Sequence, residues 1–499
     1  MWARETDRCS FQRLAMRTTV FFLAVFLCLC GQAAAAELEP QMKWSKRYVK
    51  DETRELVKKV VAARDGGALV WADETDTAYH ILPPLLLKVD AAGEEEWTKR
   101  MPEDFWIASV KQAKTSGFLV MGALRSQPEK LQLVRLSETG KTEWTKQIAV
   151  EGGAMIPQYY SLLYSDFAET SDGGWIAAGR YYPGGYDTGK KSLVHLVKIT
   201  ASGKVEWDKT WDTPNFSSAD RIIITDSKDV YLQGTVSSGD SQLYIAKLTE
   251  DAEVIWKHTY DEVGSVTIHS VLPASDGGLL ITGYVNRYRY DPAYNDILAW
   301  HINAKGDVVW RQQYGEEERG EIGLSLTERA DGGYMLIALL GSERNEPSDW
   351  SFMTLDDSGN LLDEKTVTFP QVRVIGAVPQ GAGEYLLLGQ YWEKSTTLAD
   401  KRDIYLIKYG KAKTLISLQH AYDHKLKLTL GDTTQLQVKA VYDDGTEEAL
   451  TSAVKWQSSD ENVAAVDGDG QITAKQKGKA KITASLEGKS AMFTIQVKK

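Results

Sequence analysis

The chain has 499 residues, 43% apolar and 25% charged, an ordinary globular composition that excludes a disordered or collagen-like protein. Its formal charge is −11, from 58 basic and 69 acidic side chains, and no basic block interrupts it. That balance argues against a nucleic-acid partner, because phosphate recognition needs clustered Lys and Arg.

Residues 1–36 read as a signal peptide. Arg4, Arg8, Arg13 and Arg17 precede the apolar run Val20–Leu29, and Ala34–Ala36 supplies an A-x-A cleavage site before Glu37. A retained anchor is the alternative, disfavoured because the apolar stretch is short and ends in small residues. No later apolar stretch reaches about 18 residues, so no membrane span is expected after cleavage. Cys9, Cys28 and Cys30 all fall in the leader. The mature chain therefore has no disulfide, thiol nucleophile or Cys-ligated zinc. Losing the leader takes the charge to −13, while residues 418–499 balance 11 Lys against 11 acids. The acid excess lies between Glu37 and Ser417, and that break marks a domain boundary.

Self-similarity organises the next stretch. A tight turn followed by an apolar run recurs at Asp65-Gly66-Gly67, Asp172-Gly173-Gly174, Asp276-Gly277-Gly278 and Asp331-Gly332-Gly333, with weaker copies at Ser116-Gly117, Lys228-Asp229 and Gly383-Glu384. Equivalent positions 67, 117, 174, 229, 278, 333 and 384 are 49 to 57 residues apart, which makes seven copies. The first five are followed by an alternating strand, a turn and a strand bearing Trp, as in Leu87-Lys88-Val89…Gly93…Trp97 and Val197-Lys198-Ile199…Gly203…Trp207, and the sixth keeps the turn but has Leu362 where Trp would fall. Every repeat thus reads as four short strands, A before the turn, B after it, then C and D. Four antiparallel strands at this period are the arithmetic of a β-propeller. The seventh unit lacks a Trp-bearing D strand, and the segment Trp44-Ser-Lys-Arg-Tyr48 matches the missing piece. It is expected to close the ring from the N-terminus.

The Gly-x-x-x-Trp pattern after an apolar-Lys-apolar strand resembles the repeats of quinoprotein-like and related bacterial DGG-repeat propellers, over roughly residues 40–410. The resemblance implies a fold and little about activity. Quinoprotein enzymes carry adjacent cysteines and a cofactor-and-calcium cradle, and a Cys-free mature chain argues against that chemistry. No cofactor is expected.

Residues 418–499 resemble the bacterial Ig-like group 2 domain in Leu430-Gly431-Asp432-Thr433, Val454-Lys-Trp456-Gln-Ser458, Val463-Ala464, Gly470-Gln-Ile472-Thr473-Ala474 and Gly478-Lys-Ala480. Short alternating strands at sandwich spacing agree with this, with Trp456 expected as the core plug. The resemblance implies display, spacing or adhesion outside the cell.

Chemistry is sparse. Of the seven His, His195 and His301 fall within C strands, where core filling is favoured over metal ligation. No metal site, P-loop, dinucleotide fingerprint or G-x-S-x-G is present. What stands out is loop asymmetry: the A–B and C–D turns are minimal, whereas the B–C loops are long and aromatic. Tyr186, Tyr288, Tyr290 and Trp392 are the candidate ligand-binding residues, on the face shared by the B–C and D–A loops. Self-packing of these aromatics on their own blades is the competing reading.

The expectation is an all-β protein: a signal peptide at 1–36, a seven-bladed β-propeller at 37–417 and an Ig-like β-sandwich at 418–499. Its expected role is secreted or cell-surface, non-catalytic binding of a cell-envelope polysaccharide or surface protein, with the Ig-like module as spacer. A polysaccharide-active propeller enzyme and an envelope-assembly scaffold are the alternatives.

Overall fold

The computed structural model describes residues 40–499 apart from 50–52, 77–79, 150–163, 182–192, 212–215, 238–240, 262–264, 287–294, 317–318, 342–348, 370, 382, 394–400, 412–414, 422, 443–446 and 453. Among the described residues every regular element is a strand. No helix among them is long and apolar enough to cross a membrane. The expected leader lies outside the described residues.

Seven antiparallel sheets form the blades, in the order A-B-C-D. Blade 1 is Thr53–Ala62, Ala68–Asp76, Ile81–Val89 and Glu95–Arg100. The A strands of blades 2, 3, 5, 6 and 7 are Phe105–Gln112, Tyr164–Glu169, Ser265–Pro273, Glu321–Glu328 and Val372–Gly381. Blade 4 departs from the pattern: its A strand is split into Phe216–Ser217 and Arg221–Ile224, both paired with Val230–Ser237. In blade 7 the D strand is Pro40–Tyr48, antiparallel to Lys401–Lys411 from Pro40↔Lys411 to Tyr48↔Ile404. The N-terminal strand closes the ring, as its Trp44–Tyr48 pattern predicts.

The strand pattern follows from stacking blades face to face. B and C strands lie between two neighbours, so Tyr334–Leu340 and Asn295–Ile302 are buried along their whole length. D strands lie outermost and alternate, as in Val205–Trp211. Each pair of adjacent blades shares one apolar cluster. Leu69 and Leu86 of blade 1 meet Phe105, Phe118 and Val134 of blade 2, and Tyr48, Leu388 and Leu406 of blade 7 meet Val57, Val70 and Leu87 of blade 1. The core is therefore a ring of seven interfaces, each contacting only its neighbours.

Two repeat residues now have physical reasons. The basic residue of strand C is a buried cation that ties the turn to strand D. Lys88 is fully buried, with Nζ 2.6 Å from Asp65 and 2.7 Å from Glu96. Lys198 meets Asp172 at 2.9 Å, Lys247 meets Asp229 at 2.9 Å, and Lys408 meets Glu384 at 3.0 Å. His301 holds this position in blade 5, with Nε2 3.1 Å from Asp276 and Nδ1 3.0 Å from the Tyr334 hydroxyl. His195 is likewise partnered, 2.5 Å from Asp208.

The Trp of strand D clasps the next blade. Trp44 covers Gly93, Trp97 covers Gly140 and Trp310 covers Gly359; a Cβ on these glycines would stand 2.9, 2.7 and 2.5 Å from the indole ring. The same glycines have φ of 73 to 77°, so the turn and the close approach both demand glycine. Four residues after the Trp, the Tyr48 and Tyr260 hydroxyls donate to Gly93 O at 2.7 Å and Gly306 O at 2.8 Å. Gly-x-x-x-Trp is an inter-blade latch.

The C-terminal sandwich begins with Leu415–His420, paired with Val438–Tyr442, so the boundary expected at 417/418 falls within this strand. Lys425–Thr429 runs parallel to Lys489–Lys498, which pairs onward with Gly478–Leu486 and then Lys455–Ser458. The core is Leu436, Ile472, Ile482, Phe493 and Ile495, all fully buried. Trp456 is not the plug. It sits half-buried on the edge strand Lys455–Ser458, covers Gly470 and donates from Nε1 to Thr451 O at 2.6 Å. Phe493, on a central strand, fills the core instead, and Trp456 packs against it from the edge with ring centroids 6.1 Å apart.

Candidate functional site

The seven A strands surround a cavity of about 810 Å³ along the ring axis. Its lining includes Ser241, the first residue of blade 4's C strand, and Val266 at the start of blade 5's A strand. The lining therefore reaches the face of the B–C and D–A connections, and Lys111 and Leu272, each next to last in its A strand, carry it toward the opposite face.

β-Bulges shape the wall. In six blades the A strand gains one residue against strand B: the register steps over Lys58, Ala108, Ser165, His269, Leu324 and Ile375. A bulge bends the strand and re-aims its side chains. Both residues of four bulges, 58/59, 165/166, 269/270 and 375/376, accordingly line the cavity. The facing B-strand residue is usually glycine. A Cβ on Gly122 would stand 1.9 Å from Trp106 O, and one on Gly283 2.0 Å from Thr267 O. In blades 2, 3, 5 and 7 the glycine that ends the apolar run of strand B, Gly122, Gly179, Gly283 and Gly389, thus marks a bulge in the channel wall.

The residue after each bulge, together with Arg221 at the same register in blade 4, forms a belt at one level: Lys59, Ser109, Asp166, Arg221, Ser270, Ser325 and Gly376. Polar contacts run along it from blade to blade. Lys59 Nζ lies 3.5 Å from Ser109 Oγ, which donates to Asp166 Oδ1 at 2.8 Å. Asp166 Oδ2 accepts from Lys111 Nζ at 2.8 Å and from the Ile222 amide at 3.2 Å. Arg221 donates to Gln233 Oε1 at 2.8 Å and to Ile268 O at 2.9 Å.

Electrostatics follow from this crowding. Burial alone would raise the Asp166 carboxyl, but Lys111, Lys59 and the Ser109 hydrogen bond outweigh it and hold it below the usual carboxylate range. Burial pushes the Lys59 ammonium down to about 8, an effect Asp166 opposes and Lys111 and Arg221 reinforce. Burial, with Arg221 beside it, lowers His269 to about 4, so this imidazole is neutral near pH 7. The six fully charged lining side chains, Lys58, Lys59, Lys111, Asp166, Asp220 and Arg221, all come from blades 1–4. Blades 5–7 contribute Leu324, Ile375, Ala377 and Val378 among others. Four bases face two lining acids and Asp73, 3.2 Å from Lys58, which leaves this arc cationic in an acidic chain.

Of the four aromatic candidates, Tyr186, Tyr288 and Tyr290 lie outside the described residues. Trp392 is half-buried and belongs to strand B of blade 7 (Glu384–Glu393), paired with Arg402, and not to a loop. The Arg402 guanidinium lies 5.8 Å from its ring, and its backbone amide donates to Gln371 O at 2.7 Å. The closing strand delivers Arg47 onto the adjacent Tyr391 ring at 3.8 Å. Tyr284, from another aromatic B–C run, sits 5.8 Å from His269 and so connects that face with the channel. Sequence reasoning missed Lys59, Lys111, Asp166 and Arg221, which recur at the repeat period but share no residue type or local motif. The one available signal was the B-strand glycine, read as part of a repeat and not as the mark of a bulge.

Residues 423–491 match the bacterial Ig-like domain (group 2), a domain typical of bacterial surface proteins. A curated relative, lacto-N-biosidase from Bifidobacterium bifidum, is 45% identical over 73 residues, covering 14% of this chain and 6% of that protein's length. Among solved structures, the β-propeller domain of the trilobed protease from Pyrococcus furiosus is similar at 10% identity, over 72% of this chain and 95% of that one, with a TM-score of 0.42. A family PL25 ulvan lyase is similar at 7% identity, over 73% and 96% of the two chains, with a TM-score of 0.45. At these identities the likeness is one of fold. The chain is a seven-bladed propeller carrying a bacterial Ig-like domain of group 2.

Proposed function

We propose that this is a secreted, cell-surface binding protein whose propeller takes a cell-envelope polysaccharide or a surface protein at the B–C face, with the Ig-like domain as spacer. One observation carries the reading: an axial cavity of about 810 Å³ reaches that face and is lined by unlike arcs, one charged and one apolar. Concave sites with a few placed polar groups on a largely apolar wall are the usual form of a ligand pocket. Half-buried aromatics beside the opening, Tyr284 and Trp392, extend the same surface. The experiment is retention of the chain from residue 37 on immobilised envelope polysaccharides and surface-protein fractions, with the isolated Ig-like domain in parallel. Retention is expected to need the propeller. Equal retention of the Ig-like domain alone, or none of either, overturns the proposal.

A further inference from the structure

We infer that the axial cavity is a site for an organic carboxylate with an apolar body, its carboxylate on Lys59 and its body against blades 5–7. The inference goes beyond the proposed function: the carboxylate is a small ligand of the channel, distinct from the polysaccharide or protein of the B–C face.

Three observations carry it. The first is commitment of donors. Lys111 spends its ammonium on Asp166 and on Ile222 O at 3.3 Å, and Arg221 is held by Gln233, Ile268 O and His269 O. Among the described residues Lys59 has a single long hydrogen bond, 3.5 Å to Ser109. An ammonium has three donors, and an enclosed charge left short of partners is costly. Lys59 is nonetheless wrapped by protein and keeps only part of its surface open to the cavity. It is the cation with capacity to spare.

The second is charge balance. Asp166 offsets one base, Asp220 another, and Asp73, 3.2 Å from Lys58, a third, so of the four bases one positive charge, that of Lys59, is left without a carboxylate partner of its own. His269 adds no charge near pH 7 and shows no hydrogen bond at either ring nitrogen among the described residues, so it offers one neutral N–H to the cavity. An anion satisfies this arc where a neutral molecule leaves it unpaired.

The third is the opposite wall. Val271, Leu324, Ile375, Ala377, Val378 and Leu388 line it without a charged group. A bare inorganic anion would gain nothing from that wall, whereas a carboxylate carried on an apolar body would bury carbon against it.

The test is isothermal titration of the full chain from residue 37 with hexanoate, inorganic sulfate and 1-hexanol. Hexanoate is expected to bind saturably and at least tenfold tighter than either other probe. Lys59→Met is expected to lose at least tenfold in hexanoate affinity, and Lys59→Arg to retain most of it. Should Lys59→Met fold poorly, Ser270→Glu, which adds a carboxylate to the cavity wall, must weaken hexanoate by a similar factor. Hexanoate binding unchanged in Lys59→Met or in Ser270→Glu overturns the inference. So does hexanol or sulfate matching hexanoate, or no saturable uptake at concentrations on the order of 10 mM. The broader reading fails separately: it falls if no envelope polysaccharide or surface protein is retained, whatever hexanoate does.

Discussion

Removing the closing strand tests the ring directly. Deleting residues 37–50 strips blade 7 of its D strand and exposes the edge of Lys401–Lys411. Two aromatic latches go with it: Tyr48, buried with its hydroxyl 2.7 Å from Gly93 O, and Trp44, whose indole NH is 3.0 Å from Ala91 O. Truncating a buried aromatic costs about 3–5 kcal/mol. Trp44 is half-buried and contributes less, so the two together are worth about 5 kcal/mol before the lost sheet pairing is counted. Domains are stable by only about 5–15 kcal/mol, so a third or more of the total is at stake. At ~2 cal/mol/K of unfolding entropy per residue, 5 kcal/mol lowers the melting temperature of a domain of several hundred residues by roughly 6 °C. Scanning calorimetry on the chain from residue 37 and on the deletion reads this out, and light scattering reports edge-to-edge aggregation. Adding a synthetic 37–50 peptide is expected to restore part of the loss. An unchanged melt with a monodisperse deletion would refute closure by this strand.

Further outcomes follow from the same structure. Carboxylate affinity should fall as pH rises through about 8, because Lys59, which shares the cavity with Lys58, Lys111, Arg221, Asp166 and Asp220, then loses its charge, and His269 is already neutral; titrations at pH 6.5 and 9 check this, and equal affinities contradict it. Burial, then the Asp403 and Glu74 charges, raise the Glu55 carboxyl to about 8. The native state thus holds a proton that the unfolded chain releases near 4.5, so this contribution to stability is complete below 4.5 and is lost as pH rises toward 8, at up to about 1.4 kcal/mol per pH unit. Urea melts at pH 5, 6.5 and 8 should show that slope, and Glu55→Gln should flatten it. In the sandwich, a fragment from residue 412 should unfold cooperatively, whereas one from residue 418 lacks Leu415, which is 3% exposed, and should be measurably weaker. Trp392→Ala should leave the melt within a few degrees if the ring serves ligand binding, and loss of retention on the cognate polysaccharide or protein is the paired readout.

The repeat was legible because its determinants are local. A Gly forced into positive φ at the C–D turn, a Trp four residues on and an alternating strand before it recur within a few dozen residues, so the period, the blade count and the vacant D-strand slot could be counted from the chain. The Ig-like module was legible for the same reason, except for Trp456. Its type suggested a core plug, but its place on an edge strand leaves Phe493 to fill the core. The aromatic candidates came from loop composition, which says that a connection is long and says nothing of where its rings converge.

The sequence by itself determined the architecture: seven four-stranded repeats, a strand from the N-terminus to close them and a sandwich after them. The ring decided the site. Lys59, Ser109, Asp166 and Arg221 lie about 50 residues apart, one per blade, and become neighbours only when the blades stack around a common axis. Within each A strand the bulge selects which side chains reach the cavity, and a bulge is a mismatch between two strands that neither strand carries alone. The low Lys59 pKa has the same origin, since burial and the charges of other blades do not exist until the ring is closed.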